Sequence, residues 1–384
     1  MTDWTILTCE YPPASGGVGD YTAQVAAALA AVGDRVSIFT PPQSDPVVHQ
    51  SGVSVTVLED VYGPRARQAI DQHLNANRST VLVQYVPTAF GLGGANLPAC
   101  RWLLRRARNN RDDIRVMFHE PYFEFGWTPL HQAPLSLVQR WMARVLERAS
   151  SQTYLSTDAW RAYLSPSNSH PPFITMPIPS AIPRSDKPAD ALEQRAKYLG
   201  SAAEHLVGHF GTYGTHVAPL LQASVIALLS EDPQTSMVCT GAGSDAFAAA
   251  VVAATPALKG RVQGTGRVAP SEVAAILCGC DILLQPYIDG VTTRRTSVMA
   301  GLINGRPVVT TAGRLTEAVW SETYAAMTVR EEGATALASA VRTLLADESA
   351  CAALAARGDQ TYRERFSLAH TIRALRTSAK GAAA

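Results

Sequence analysis

Short apolar runs alternate with longer stretches of helical period along almost the whole chain. That is the pattern of a parallel sheet whose strands are joined by crossover helices. In the first half the runs predict strands at Thr5–Cys9, Arg35–Phe39, Val53–Leu58, Thr80–Tyr85, Arg115–His119, Thr153–Ser156 and Phe173–Met176. Between the first two, Val18, Tyr21, Val25, Leu29 and Val32 recur three or four residues apart, and Gly33 stands where a helix would stop. From Ser165 to Pro188 the prolines at 166, 171, 172, 177, 179, 183 and 188 interrupt both patterns. Proline is excluded from helix interiors and central strands, so this stretch reads as a domain boundary. The alternation then restarts, with strands predicted at Leu206–Phe210, Met237–Cys239, Arg261–Gln263, Ile282–Gln285, Pro307–Thr311 and Ala326–Val329. Two helices, Glu348–Arg363 and Leu368–Ser378, close the chain.

The expected fold class is therefore α/β: two doubly wound Rossmann-like domains facing across a cleft. Residues 1–180 form the first and residues 181–365 the second, with a C-terminal helix within residues 366–384 packing back toward the first. In such sheets ligands bind beyond the carboxyl ends of the strands, so the chemistry is sought in the loops that follow them.

Composition narrows the classes. A chain of 384 residues suits two domains, and 47% hydrophobic with 17% charged residues describes a globular protein rather than a disordered one. A formal net charge of +1 gives no electrostatic case for a nucleic-acid partner. No apolar run approaches the roughly 20 residues a membrane span requires. No basic leader precedes the first strand, and the six cysteines are scattered without a C-x-x-C pair. Buried thiols in a reducing compartment, and hence a cytoplasmic protein, are the expectation.

The first strand is followed by Glu10-Tyr11-Pro12-Pro13-Ala14-Ser15-Gly16-Gly17-Val18-Gly19-Asp20-Tyr21. Glycines let a backbone pass close to a ligand, and the N-terminus of the next helix offers N–H groups to an anion. A tight strand-to-helix turn would read the same way. A dinucleotide cofactor fits worse: the spacing is not G-x-G-x-x-G, and the second strand runs into Thr40-Pro41-Pro42 without an acidic residue for a ribose. In the second half, Gly211-Thr212-Tyr213-Gly214, Thr240-Gly241-Ala242-Gly243-Ser244 and Gly264-Thr265-Gly266-Arg267-Val268 follow successive strands. Gln285-Pro286-Tyr287 ends the fourth, and Asn304-Gly305-Arg306-Pro307-Val308-Val309 closes the series.

In this order, and over nearly the whole chain, these loops resemble the family-4 retaining glycosyltransferases of the GT-B fold. The resemblance implies a nucleotide-diphosphate sugar as co-substrate, held by the second domain, and a hydroxyl acceptor at the first. The acceptor would be a saccharide, a lipid-linked saccharide or a small molecule. Transfer of a hexose with retention is implied, with no cofactor. The chain has no D-x-D sequence, which argues against a metal ion at the diphosphate.

The resemblance breaks at the donor phosphates. The family's Arg and Lys fall at Thr212 and His216, and its two glutamates at Thr292 and Ala300. In their place stands Asp289-Gly290-Val291-Thr292-Thr293-Arg294-Arg295-Thr296-Ser297: a glycine turn, hydroxyls and two guanidinium groups, a plausible phosphate clamp. The alternative is that both arginines are solvated helix-face residues. The expected donor-binding residues are thus Gly16, Gly17, Gly211, Thr212, Gly241, Gly243, Arg267, Val268, Asp289, Gly290, Val291 and Thr292. Arg294 and Arg295 are expected to supply the catalytic charge. His119, in His119-Glu120-Pro121-Tyr122, matches a His-containing loop of the family over the donor sugar and is the third catalytic candidate. Tyr85, Phe90, Glu120 and Glu124 are acceptor-side candidates, with core packing an equal account of the two rings.

Arg101, Arg105, Arg106, Arg108, Arg111 and Arg115 form a basic run on and after a helix. Peripheral membrane contact is one reading; a solvated helix face diluted by Asp112 and Asp113 is the preferred one. The missing donor-site side chains also keep a second function open, a catalytically inactive glycosyltransferase-like partner or sugar-binding subunit.

Overall fold

The computed structural model describes residues 1–13, 16–42, 45–46, 48, 50–110, 112–122, 133–164, 172–201, 203–330 and 333–377. The chain divides into two units, one of residues 1–178 and 368–384, the other of residues 179–367.

In the first unit the apolar runs become β1 (Asp3–Leu7), β2 (Arg35–Thr40), β3 (Val53–Val57), β4 (Thr80–Tyr85), β5 (Ile114–Phe118), β6 (Gln152–Leu155) and β7 (Ile174–Thr175). The helices between them are α1 (Gly17–Ala31), α2 (Pro64–Ala76), α3 (Leu97–Arg105) and α4 (Ala133–Ala149). The strands form one parallel sheet in the order β3-β2-β1-β4-β5-β6-β7. Ile6, Leu82 and Met117 are fully buried on adjacent strands, in one cluster with Tyr21, Val25 and Leu29 of α1. Burial of side chains of this size contributes about 1.5–3 kcal/mol each, which is why these strands read as near-continuous apolar runs.

The second unit repeats the plan. It comprises α5 (Pro188–Tyr198), β8 (His205–Phe210), α6 (Ala218–Glu231), β9 (Thr235–Thr240), α7 (Ser244–Ala254), β10 (Val262–Gly264), α8 (Pro270–Gly279), β11 (Ile282–Gln285) and α9 (Thr296–Ile303). β12 (Val308–Thr311), α10 (Ala318–Thr323), β13 (Met327–Val329), α11 (Ala334–Leu345) and α12 (Glu348–Thr361) complete it. The parallel sheet runs β10-β9-β8-β11-β12-β13, and apolar clusters cover both of its faces.

Helix α13 (Leu368–Arg376) belongs to the first unit, where Ile372 and Leu375 join the core beside Trp4 and Tyr21. Arg115 fastens it: the guanidinium donates to the carbonyl of Leu375, pairs with Asp113 at 2.9 Å and lies 5.4 Å from the Trp4 ring. Arg106 is likewise buried and pairs with Asp112 at 2.6 Å and Asp71 at 3.3 Å. The basic run therefore splits, because Arg106 and Arg115 are interior while Arg101, Arg105 and Arg108 are exposed; Arg111 lies outside the described residues. All six cysteines are free thiols, and burial pushes the pKa of each one up. Among the described residues no helix is long and apolar enough to cross a membrane.

Candidate functional site

Each sheet reverses its winding once, between β1 and β4 in the first unit and between β8 and β11 in the second. At such a point neighbouring loops diverge and leave a crevice at the carboxyl ends of the strands. In the second unit the loops beside it are those after β8 and β11, which carry Gly211 and residues 286–295. They meet closely, since a Cβ on Gly211 would lie 3.8 Å from the Ser297 Cβ.

The loop after β11 is pinned from below. Gly290 is buried against Gly313 and Thr316, and the Val291 N–H donates to the Thr311 carbonyl at 2.9 Å. Asp289 pairs with Arg314 at 3.2 Å. The largest constraint is Glu317. Its buried carboxylate accepts from the Thr293 N–H at 2.8 Å, the Thr293 hydroxyl at 2.5 Å and the Trp320 indole N–H at 3.1 Å. Thr292 is fully enclosed and Thr293 is committed to Glu317, so the hydroxyls of this pair do not form an open phosphate cradle. The part of the clamp expectation that rested on Thr292 is corrected accordingly.

What the loop does present is the start of α9. Arg295 occupies the N-cap position, with its guanidinium 4.3 Å from the centre of the Tyr287 ring, and the Tyr287 hydroxyl meets the Ser297 hydroxyl at 2.7 Å. The N–H groups of Val298 and Met299 turn back to the Arg295 carbonyl. Among the described residues those of Thr296 and Ser297 have no hydrogen-bond acceptor. Two amides at a helix N-terminus, with the positive end of the helix dipole behind them and Arg294 and Arg295 directly before them, are chemically suited to a phosphate group.

The glycine loops beside it interlock with one another. Gly241 has φ +114°, and a Cβ there would overlap the Gly211 carbonyl oxygen. The Gly241 N–H donates to Gly266 at 3.2 Å, and the Gly266 N–H donates to the Ser244 hydroxyl at 2.8 Å. Close approach between backbones already demands glycine at 241. Gly243 caps α7, Thr212 and Arg267 are exposed, and Val268 packs against the core. Sequence patterning did not single out His209, which is buried below Gly211. Its Nδ1 donates to the Leu284 carbonyl at 2.8 Å, and its Nε2 has no hydrogen-bond partner among the described residues. Burial lowers its pKa to about 4, so the ring is neutral at neutral pH.

The first unit treats its glycine loop differently. The Glu10 carboxylate accepts from the N–H groups of Val18 at 2.8 Å and Gly19 at 2.9 Å, in the first turn of α1. Gly16 lies so close to this carboxylate that a Cβ would overlap it. The expectation that the Gly16–Gly17 loop offers these amides to a ligand is corrected: the chain's own carboxylate takes them.

His119 follows β5 and is buried, its Nε2 2.7 Å from the Gln84 amide oxygen and its ring edge-on to Tyr21 at 5.3 Å. Its carbonyl accepts from Ser156 and from the Trp160 indole N–H, which fixes the turn at the strand end. Glu120 is half-buried beside it, and Glu124 lies outside the described residues. Tyr85 and Phe90 are fully buried, their centroids 5.1 Å apart, and Phe90 stacks on Tyr62 at 3.9 Å. No ring face of either is open to a sugar, so core packing accounts for both. Among the described residues no three His, Cys, Asp or Glu side chains group so as to hold a metal ion.

Residues 204–347 match the family described as Glycosyl transferases group 1. Solved structures share the whole architecture at low identity. A sucrose-phosphate synthase from Thermosynechococcus elongatus has a TM-score of 0.72 at 17% identity, covering 98% of both chains. HepE from Anabaena, solved in complex with UDP and glucose, has a TM-score of 0.70 at 15% identity and the same coverage. WaaG, a glycosyltransferase involved in lipopolysaccharide biosynthesis, has a TM-score of 0.66 at 15% identity, covering 98% of this chain and all of its own. No curated protein matches the sequence. The fold is GT-B, two Rossmann-like units each with its own parallel sheet. With the group 1 match in the second unit, the class is a nucleotide-sugar-dependent glycosyltransferase.

Proposed function

We propose that this protein transfers a hexose from a nucleoside diphosphate sugar to an acceptor hydroxyl, with retention and without a bound metal, and that the start of α9 holds the donor's diphosphate. The observation that carries this reading is the pair of open amides at Thr296 and Ser297 behind Arg294 and Arg295. Glycosyl transfer breaks the anomeric C–O bond, leaving positive charge on the sugar and negative charge on the departing diphosphate. Amides and guanidinium groups at the leaving group stabilise that charge in place of the Arg–Lys pair that Thr212 and His216 do not supply. Among the described residues no carboxylate is identified for a covalent intermediate, which favours a same-face reaction in which the leaving phosphate accepts the acceptor's proton.

The test is turnover with a panel of nucleoside diphosphate sugars in excess EDTA. UDP-glucose comes first, because HepE is solved with UDP and glucose. Nucleoside diphosphate release with glycoside formation, undiminished by EDTA, is expected for at least one donor. Activity restored only by Mg²⁺ or Mn²⁺ would overturn the metal-free mechanism. Tight nucleotide binding with no turnover of any donor would favour an inactive sugar-binding subunit.

A further inference from the structure

The edges of the two sheets are not alike. β7, β10 and β13 end their sheets with two, three and three residues. β3 ends the sheet of the first unit with five, Val53-Ser54-Val55-Thr56-Val57. An edge is a row of N–H and C=O groups ready to pair, and proteins guard it with charged residues, proline, bulges or very short strands. β3 has neither a charge nor a proline, and its register with β2 runs unbroken from Val53 opposite Val36 to Val57 opposite Thr40. The Leu58 N–H donates inward to the Thr40 carbonyl at 2.9 Å, and the Val53 N–H turns back to Gln50 at 3.2 Å. Successive residues of a parallel strand turn their backbone groups to opposite sides, so Val55 and Val57 present theirs along the outer edge.

The order of the side chains points to the occupant. Val-Ser-Val-Thr-Val reads alike in both directions, with valines at the ends and centre and a small hydroxyl between them. An antiparallel copy of the same strand matches it at every position. About a two-fold axis through Val55, that residue meets its own copy in a hydrogen-bonded pair. The Val57 N–H then faces the Val53 carbonyl of the other copy, and Ser54 faces Thr56. In the same register Glu59 and Asp60 fall opposite Ser51 and Gln50, so no like charges oppose one another. Pairing would cover Val57, which is 43% exposed, and bury more of Val53 and Val55, which already pack against the core. We propose that β3 pairs antiparallel with β3 of a second copy of this chain, joining two first units through their sheets. The inference rests on this edge alone and is independent of the donor-site chemistry.

Sedimentation velocity of the full chain, loaded from about 1 to about 500 µM, tests it. A reversible dimer is expected, and a weak one, because two short strands bury less than about 1,200 Å². Val55→Pro removes the N–H at the centre of the pair, at an edge position where proline spares the strand's own ladder, and should abolish the dimer. Ser54→Lys/Thr56→Lys, at two exposed positions, sets like charges opposite one another and should raise the dimer Kd about tenfold. Ser54→Lys/Thr56→Glu brings opposite charges into the same pairs and should keep Kd within about threefold of the unaltered chain. Circular dichroism melting checks that the variants fold; should Val55→Pro fail, the two charge variants decide alone. A chain that stays monomeric throughout would overturn the proposal and leave this edge to a strand of another protein. A dimer that a folded Val55→Pro leaves intact would overturn it by placing the contact elsewhere, and equal weakening in both charge variants would exclude the register.

Discussion

The two units begin a helix at their winding reversal in opposite ways. In the first, Glu10 folds back onto α1 and takes the Val18 and Gly19 amides. In the second, Glu317, from the loop after β12, reaches only as far as Thr293, and among the described residues the first two amides of α9 are left without an acceptor. Both glutamates order a loop, but one fills the anion site that its helix creates and the other builds the approach to an open one. A helix start beside the winding reversal thus serves packing in one unit and is available for ligand in the other. A glycine-rich loop before a helix does not by itself distinguish the two cases.

The strongest way to break the comparison is at the glycines, because they fit around different neighbours. Gly241 opposes a backbone carbonyl and has positive φ, so Gly241→Ala should destabilise the second unit by about 3 kcal/mol or more. Gly16 opposes a carboxylate on a flexible side chain that can swing aside, so Gly16→Ala should cost about 1 kcal/mol. Urea unfolding of both variants measures the difference. Equal losses would mean that the loops of the second unit are not locked by their backbones.

A second effect belongs to His209 of the second unit. Burial lowers the pKa of His209 from 6.5 to about 4, so below pH 6.5 the unfolded chain binds a proton that the folded ring refuses. Stability should therefore fall as pH drops from 6.5 to about 4, by at most about 3 kcal/mol, and level off below that. Unfolding midpoints across this range for wild type and His209→Gln isolate the contribution; an identical pH slope in both would contradict it.

The smallest effect sharpens the role of Glu10. Glu10→Gln keeps an acceptor for the Val18 and Gly19 amides but removes the charge that the helix dipole favours. It should cost about 0.5–1 kcal/mol. No loss in urea unfolding at low salt would show that the carboxylate's charge is not needed at that helix end.

Much of the fold was legible in the sequence because parallel strands buried on both faces leave unbroken apolar runs. Every predicted strand overlaps an observed one, and the largest offsets are two residues, at the start of β9 and at β1, where Trp4 starts the buried run while Cys9 lies beyond its end. The site was legible only as a set of loops. Glu10 precedes α1 by seven residues, outside the spacing of a capping box, so its reach back to Val18 has no sequence signature. Glu317 meets Thr293 only through the sheet's tertiary contacts. Tyr85 follows the alternation of its strand, yet a strand buried on both faces gives no sign of which rings remain open. The order β8-β11 at the winding reversal, which brings the Arg294–Arg295 loop beside Gly211, follows from pairing and not from any local residue pattern.

The central claim is that the start of α9 binds the donor's diphosphate. Isothermal titration of wild type, Arg294→Ala and Arg295→Ala with a nucleoside diphosphate, and separately with the bare nucleoside, tests it most directly. At least one variant should bind the diphosphate about 30- to 1,000-fold more weakly, the loss of a charge-assisted pair worth about 2–4 kcal/mol, while nucleoside affinity changes little. Unchanged diphosphate affinity in both variants would contradict the account.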